Sequence, residues 1–422
     1  MMNDEPKPQR RQVNKSQQRT DRGAIFRTQA STFRTATSGQ LATLRKLSQI
    51  PECDLPVRVR GESDCFCLAW MDRCPAATTL PARPPLLKQR KFSMDATKTH
   101  VEKDLAHDKP LISCRFDPAG RFVFAGSQDY SVWRFDVESG AKTQLAGVDA
   151  WVRGMAFDKS GSTLITGGYD GRLVWWPVAD ETPKPIRIVD AHAGWIRAVA
   201  VSPDGTLLAS VGNDLVVRIW NVADGKLVRE MSGHESHIYN VAFHPDGKHL
   251  ATGDLMCHLI DWDVASGKQV RTWQAESLQK YDKTFIATIG GFRGMAFSPD
   301  GKYIAGSGIT NVTNAFAGIG NPSVVVFDWE SGKQQIEHLT KAKLTGVAWG
   351  VAFHADGTRI GISGGNSGGF LLFFKPEDAN EFHQFKLKDT ARDLDLASDG
   401  LRVATAHHNG HVYVSRLDAK KA

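Results

Sequence analysis

No run of about 18 consecutive apolar residues occurs, so the sequence offers no helix able to cross a bilayer. The N-terminus, MMNDEPKPQRRQVNKSQQR, has no apolar core behind its charges. It therefore does not read as a secretory signal, and a cytoplasmic location is the expectation. Cysteine is scarce: six in 422 residues, of which Cys53, Cys65, Cys67 and Cys74 precede residue 94. That distribution does not suit a disulfide-stapled secreted fold, and Cys-Phe-Cys lacks the paired CxxC spacing of a zinc site. Also missing are a G-x-S-x-G elbow, an H-E-x-x-H pair and a P-loop Lys-Ser/Thr. The Gly-rich stretch at Gly364–Gly369 is accordingly a loop rather than a phosphate cradle. His407, His408 and His411 lie close together, but Asn409-Gly410 is a plain turn and no carboxylate or cysteine is near in sequence, so no metal site is assigned. No cofactor is implied.

Charge of one sign is missing from most of the chain as well. Of the formal net charge of +6, residues 1–93 hold 17 Lys+Arg against 8 Asp+Glu, and the remainder holds 35 against 38. Nucleic-acid binding needs a concentrated basic surface, so it is disfavoured for the main domain and would have to use the leader. That leader, residues 1–93, is rich in Arg, Gln, Ser, Thr and Pro without periodicity, and it reads as disordered. The sharp change of composition at Met94 raises a further expectation, that translation of the native product begins there. Intact mass of the natively expressed protein tests it.

What the chain has in quantity is repetition. From Ser113 onward one phrase recurs seven times, among them MAFDKSGSTLITGGYD, VAVSPDGTLLASVGND and VAFHPDGKHLATGDLM. Its turn glycines are Gly120, Gly161, Gly205, Gly247, Gly301, Gly357 and Gly400, spaced by 41, 44, 42, 54, 56 and 43 residues. Pro fixes φ and Gly accepts φ > 0, so Pro-Asp-Gly is a turn, and the Val/Ile/Leu-rich runs between such turns are short strands. A period near 42 with four strands is that of a propeller blade. The fold class is therefore all-β: a seven-bladed β-propeller over residues 94–422, in four-stranded antiparallel blades lettered A to D from the centre outward.

These copies resemble the WD-repeat family. The C-strand Trp stands at Trp176, Trp220 and Trp262, with Phe135, Phe327, Phe374 and Leu417 assigned to the same place elsewhere. The resemblance implies a hydrogen-bonded support of His, strand-B Ser/Thr, turn Asp and Trp. One blade matches it fully, through His192, Ser210, Asp214 and Trp220. The seventh copy ends after strand C, and KTHVEKDLAHD aligns with a strand D. A strand near residues 99–105 is thus expected to complete the last blade and remove two open sheet edges.

Two insertions, AESLQKYDKTFIATIGG and ITNVTNAFAGIGNP, fall in top-face loops (D–A and B–C) beside each other, and predict a raised lip near blade five. The column at the start of strand A reads Ile112, Arg153, Arg197, Tyr239, Arg293, Trp349 and Arg392. Propeller geometry aims it at the top mouth of the central channel. Arg offers a rigid donor fork for carboxylate or phosphate, and aromatic rings add stacking area. An acidic or phosphorylated partner segment is the expected ligand. The competing reading pairs these arginines with nearby Asp or Glu, or leaves them facing water. Trp151 and Trp195, two residues earlier, either widen the rim or pack between blades. The expectation is a protein-interaction scaffold, monomeric within a larger assembly, without membrane contact and without enzymatic activity; the alternative is a propeller hydrolase, lactonase-like, with its site at the mouth.

Overall fold

Residues 94–283, 286–314 and 319–420 are described by the structure, a computed structural model. The expectations for residues 1–93, including the four early cysteines, lie outside the described residues.

Each copy of the phrase folds as the turn chemistry dictates. In blade three, strands Ile196–Val201, Leu207–Gly212, Val216–Asn221 and Leu227–Ser232 hydrogen-bond in that order, all antiparallel. The seven turn glycines have φ between +68° and +93°, where a side chain would strain the backbone. Six blades are built from four consecutive strands, and the seventh from Ala391–Leu396, Arg402–His407, His411–Arg416 and, outermost, His100–Ala106. The N-terminal strand pairs antiparallel with His411–Arg416, from His100 opposite Arg416 to Ala106 opposite His411. The ring is closed by this strand, as the repeat alignment requires.

Burial falls from the inside outward. Strand B of blade three is nearly all buried, whereas its strand D is mostly exposed. The cores lie between blades rather than within them: Ile165, Leu173 and Trp175 of blade two pack with Leu208 and Trp220 of blade three. At the joint between blades seven and one, Leu105, Ala404 and Val414 pack with Leu111, Phe116 and Phe135. No blade can bury its own faces, so each depends on its neighbours.

Register corrects two assignments. The partner of the second strand-B residue is Trp176, Trp220 or Trp262 in blades two to four, but Phe373 in blade six and Ser415 in blade seven, not Phe374 and Leu417. A one-residue offset turns Phe374 to the other face of its strand, where it joins Leu344 and Leu372. Leu417 lies beyond strand C and donates its N–H to the carbonyl of Leu401.

Candidate functional site at the channel mouth

The column at the start of strand A owes its geometry to a β-bulge repeated around the ring. In blades two, three, four, six and seven the ladder skips one residue of strand A, and those residues are Arg153, Arg197, Tyr239, Trp349 and Arg392; in blade one it is Ile112, which is buried. A bulge leaves its extra residue unpaired and re-aims the side chain. In blade five Arg293 stands just before strand A (Gly294–Phe297) and gives its backbone N–H to Ser307. One bulge and the segment before strand A of blade five are tied down from the preceding blade: Ser113 Oγ donates to the carbonyl of Val152 (2.8 Å), and Asn240 Nδ2 to that of Phe292 (3.0 Å). These place Arg153 and Arg293.

Six of the seven side chains converge on two rings. The guanidiniums of Arg153, Arg293 and Arg392 lie 5.7, 5.7 and 5.5 Å from the centre of the Trp349 ring. Those of Arg197 and Arg293 lie 4.6 and 5.1 Å from that of Tyr239. Among the described residues none of the four arginines forms a salt bridge, so the reading in which they pair with carboxylates is not what the geometry shows. Arg197 donates to Asn213 Oδ1 (2.9 Å) and Tyr169 OH (2.8 Å), and Arg293 to the carbonyl of Gly290 (3.0 Å). The Nε groups of Arg293 and Arg392 are buried without an acceptor. Burial, together with the charge of Arg153, depresses the pKa of both Arg293 and Arg392, Tyr239 opposing it at Arg293 and Asp389 at Arg392. Like charges held together in this way favour an anion between them.

The cavity beneath, about 120 Å³, is lined by Arg115, Arg153, Arg197, Arg293 and a single carboxylate, Asp393. Burial raises the Asp393 pKa, although Arg115 and Arg153 oppose that. Arg115 is committed to Asp395 at 2.7 Å. An aromatic ridge runs outward from the mouth over blades one to three. Tyr130 stacks on Trp151 (6.4 Å), Trp151 tilts against Tyr169 (5.9 Å), and Tyr169 stacks on Trp195 (4.5 Å, 10° between planes). Trp151 also gives its indole N–H to Gln128 of blade one and so bridges blades, whereas Trp195 is 44% exposed.

The two insertions do lie together. Strands Gln279–Asp282 and Ala287–Gly290 form a hairpin, and strands B and C of blade five are lengthened to Tyr303–Asn314 and Ile319–Asp328. Lys280 Nζ joins them by donating to the carbonyl of Val312 (2.5 Å).

The model of the WD domain, G-beta repeat, family matches residues 99–136, 142–177, 183–221 and 225–261. Each matched segment begins with the outer strand of one blade and continues through strands A to C of the next, the same one-strand stagger that closes the ring. The chain is a seven-bladed β-propeller with WD repeats at four positions. Three relatives each match over fewer than four blades' length of the chain. A WD repeat-containing protein SL1-17 of Schistosoma mansoni is 34% identical over 27% of this chain and 37% of its own length. Apoptotic protease-activating factor 1 of Rattus norvegicus is 31% identical over 30% of this chain and 11% of its own. The protein LST8 homolog of Drosophila melanogaster is 27% identical over 34% of this chain and 47% of its own. The chain thus matches less than half the length of each.

The WD-repeat support is present in blade three: His192 lies 2.9 Å from Asp214 and 2.7 Å from Ser210 Oγ, which also accepts the Trp220 indole N–H at 2.8 Å. Burial opposes ionisation of Asp214, but His192 and Arg218 hold its carboxyl well below the usual range. A second complete set, missed in the sequence, occupies blade four. His234 lies 3.0 Å from Asp254 and 2.6 Å from Thr252 Oγ1, and Trp262 donates to the same hydroxyl at 2.8 Å. Its Asp ends strand B, two positions before the place of Asp214, so column alignment hides it. The histidines of blade seven have separate tasks. His407 is bound to Thr405 and the carbonyl of Asp389, and His411 to Asp104.

Proposed function

We propose that this WD-repeat propeller is a non-enzymatic interaction scaffold whose mouth takes an acidic or phosphorylated segment of a partner protein. The observation that carries the reading is the group of four guanidiniums around Trp349 and Tyr239 with no carboxylate paired to any of them among the described residues. Charge-assisted, bidentate hydrogen bonds to an anion would satisfy the idle Nε and Nη donors. The exposed edge of the aromatic ridge would take flanking apolar side chains, Trp and Tyr being the residues that most often anchor such contacts. Guanidiniums neither give nor take protons in the working range, so the mouth favours recognition over acid–base chemistry. The proposal keeps the propeller monomeric within a larger cytoplasmic assembly.

The test is an array of acidic, phosphoserine and phosphothreonine peptides probed with the full chain and with an Arg153→Ala/Arg293→Ala double variant. Retention of a subset by the wild type, weakened by added salt and lost in the double variant, is expected. Equal retention by both would overturn the proposal.

A further inference from the structure

The opposite face, where the A–B loops lie, carries another cation without a partner. Arg359 opens strand B of blade six (Arg359–Gly364) and is only 4% exposed. Its Nη1 donates to the carbonyl of Gly357 (3.0 Å), its Nε has no acceptor, and among the described residues it forms no salt bridge. The same position in other blades is handled differently. In blade four it is His249, 2.9 Å from Asp261, and in blade seven it is Arg402, 2.7 Å from Asp399. Blade six has lost both solutions. Leu372 stands where blade four has Asp261. Asp356, the counterpart of Asp399, is turned instead to His354 (2.7 Å) and to the N–H of Thr358 (2.8 Å).

Arg359 faces a cavity of about 340 Å³ between blades five and six, walled by Pro299, Tyr303, Phe353, His354 and Pro376. Its guanidinium lies 5.6 Å from the Tyr303 ring centre and 5.5 Å from that of Phe353. Asp300, at the rim, is committed to Ser298 Oγ (2.7 Å) and to the N–H of Lys302 (3.1 Å). A buried charge left without a counter-ion is costly, and buried charges are ordinarily paired, so an anion from outside the chain would relieve this one.

We propose that this pocket binds a small apolar carboxylate, the acid group on Arg359 and its aromatic or short aliphatic body against Tyr303, Phe353 and the two prolines. The volume is at the small end of ligand pockets, room for one ring on a short acid chain. One guanidinium in an apolar surround matches a single negative charge. A phosphate, with more charge and more oxygens, would need further donors. The site is independent of the mouth and stands or falls separately from it.

Titration of the full chain with 3-phenylpropionate, followed by calorimetry and ligand-observed NMR, tests this. Saturable binding to the wild type is expected, weaker by about tenfold or more for 3-phenylpropanamide, which keeps the body and lacks the charge. Arg359→Met should lose the acid to the same extent. It should also melt no lower than the wild type without ligand, because it removes an unpartnered buried charge, whereas an arginine with only a structural role would lower the melting temperature when replaced. No saturable binding of the acid to the wild type, or equal binding of acid and amide, overturns the proposal. So does undiminished binding by the variant.

Discussion

Two fully buried histidines should make this propeller lose stability in mild acid. His338 gives Nδ1 to the carbonyl of Asp378 (2.9 Å), stacks on Phe374 and leaves Nε2 without a partner. His407 is enclosed by Thr405, the carbonyl of Asp389 and the Tyr413 ring. Burial lowers each from 6.5 to about 4, the backbone carbonyls opposing only in part. With the folded value below the unfolded one, each histidine is neutral in the fold and takes up a proton on unfolding. The stability so linked is whole above about pH 6.5 and is lost as the pH falls toward 4. The full gap corresponds to about 3 kcal/mol per histidine, of which about 2 is gone by pH 5. Together they would remove about 4 kcal/mol, a large share of the 5–15 typical of a folded domain. The measurement is urea unfolding followed by tryptophan fluorescence at about pH 7 and about pH 5. A His338→Gln/His407→Gln variant, unable to titrate, is weaker at neutral pH but should lose about 4 kcal/mol less than the wild type on acidification. An equal loss in both proteins would refute the reasoning.

Replacing Thr252 by Val strands two buried polar groups at once, the Trp262 indole N–H and His234 Nε2, and should cost about 2–4 kcal/mol in urea unfolding. Thr166→Val, which strands only Trp176, should cost less. Truncation past Leu105 removes the strand paired with His411–Arg416 and should make blade seven sensitive to limited proteolysis while exposing an aggregating edge; an unchanged digestion pattern would contradict it. Gly126→Ala should act on the mouth from a distance, because a Cβ there would stand 2.1 Å from the Val152 carbonyl oxygen, next to Arg153. A cost of about 1–3 kcal/mol is expected, with weaker capture of peptides that depend on Arg153.

How far the sequence could be read follows from how local each feature is. A turn that ends in Gly, as Pro-Asp-Gly does in three copies, acts within four residues, so seven turns, the blade period and the closing strand were all legible. The mouth was legible as a column of residue types, because Arg, Tyr and Trp recur at one offset from those turns. Its mechanism was not. A bulge is a mismatch of two residues against one on a neighbouring strand, and neither Ser113 holding Val152 nor Asn240 holding Phe292 has a signal within its own copy. The second support set escaped for a related reason: Asp254 reaches His234 from a different place on the strand, so the same contact is made without the same spacing. The pocket at Arg359 is assembled from loops of two blades, and only the absence of Asp at Leu372 hinted at it.

Function in a repeat fold therefore sits where copies disagree, and the inner strand shows how such a disagreement is read. Five residues before each turn glycine, strand A carries Ala156, Ala200, Ala242, Ala296 and Ala352 in blades two to six, but Arg115 in blade one and Asp395 in blade seven. Each alone would be a misplaced charge beside the channel. Together they form an ion pair at 2.7 Å between residues 280 apart in sequence, and the other Asp395 oxygen accepts the N–H of Phe116 at 2.8 Å. The one break in blade order lies inside blade seven, between strand C (His411–Arg416) and the strand D (His100–Ala106) that runs on into strand A of blade one. The departure from alanine is thus a paired change that ties strand A of blade one to strand A of blade seven, whose strand C is joined to strand D by hydrogen bonds alone. The four mouth arginines are a departure of the other kind, charges without a salt-bridge partner among the described residues, and that asymmetry supports the proposed binding role over that of a brace.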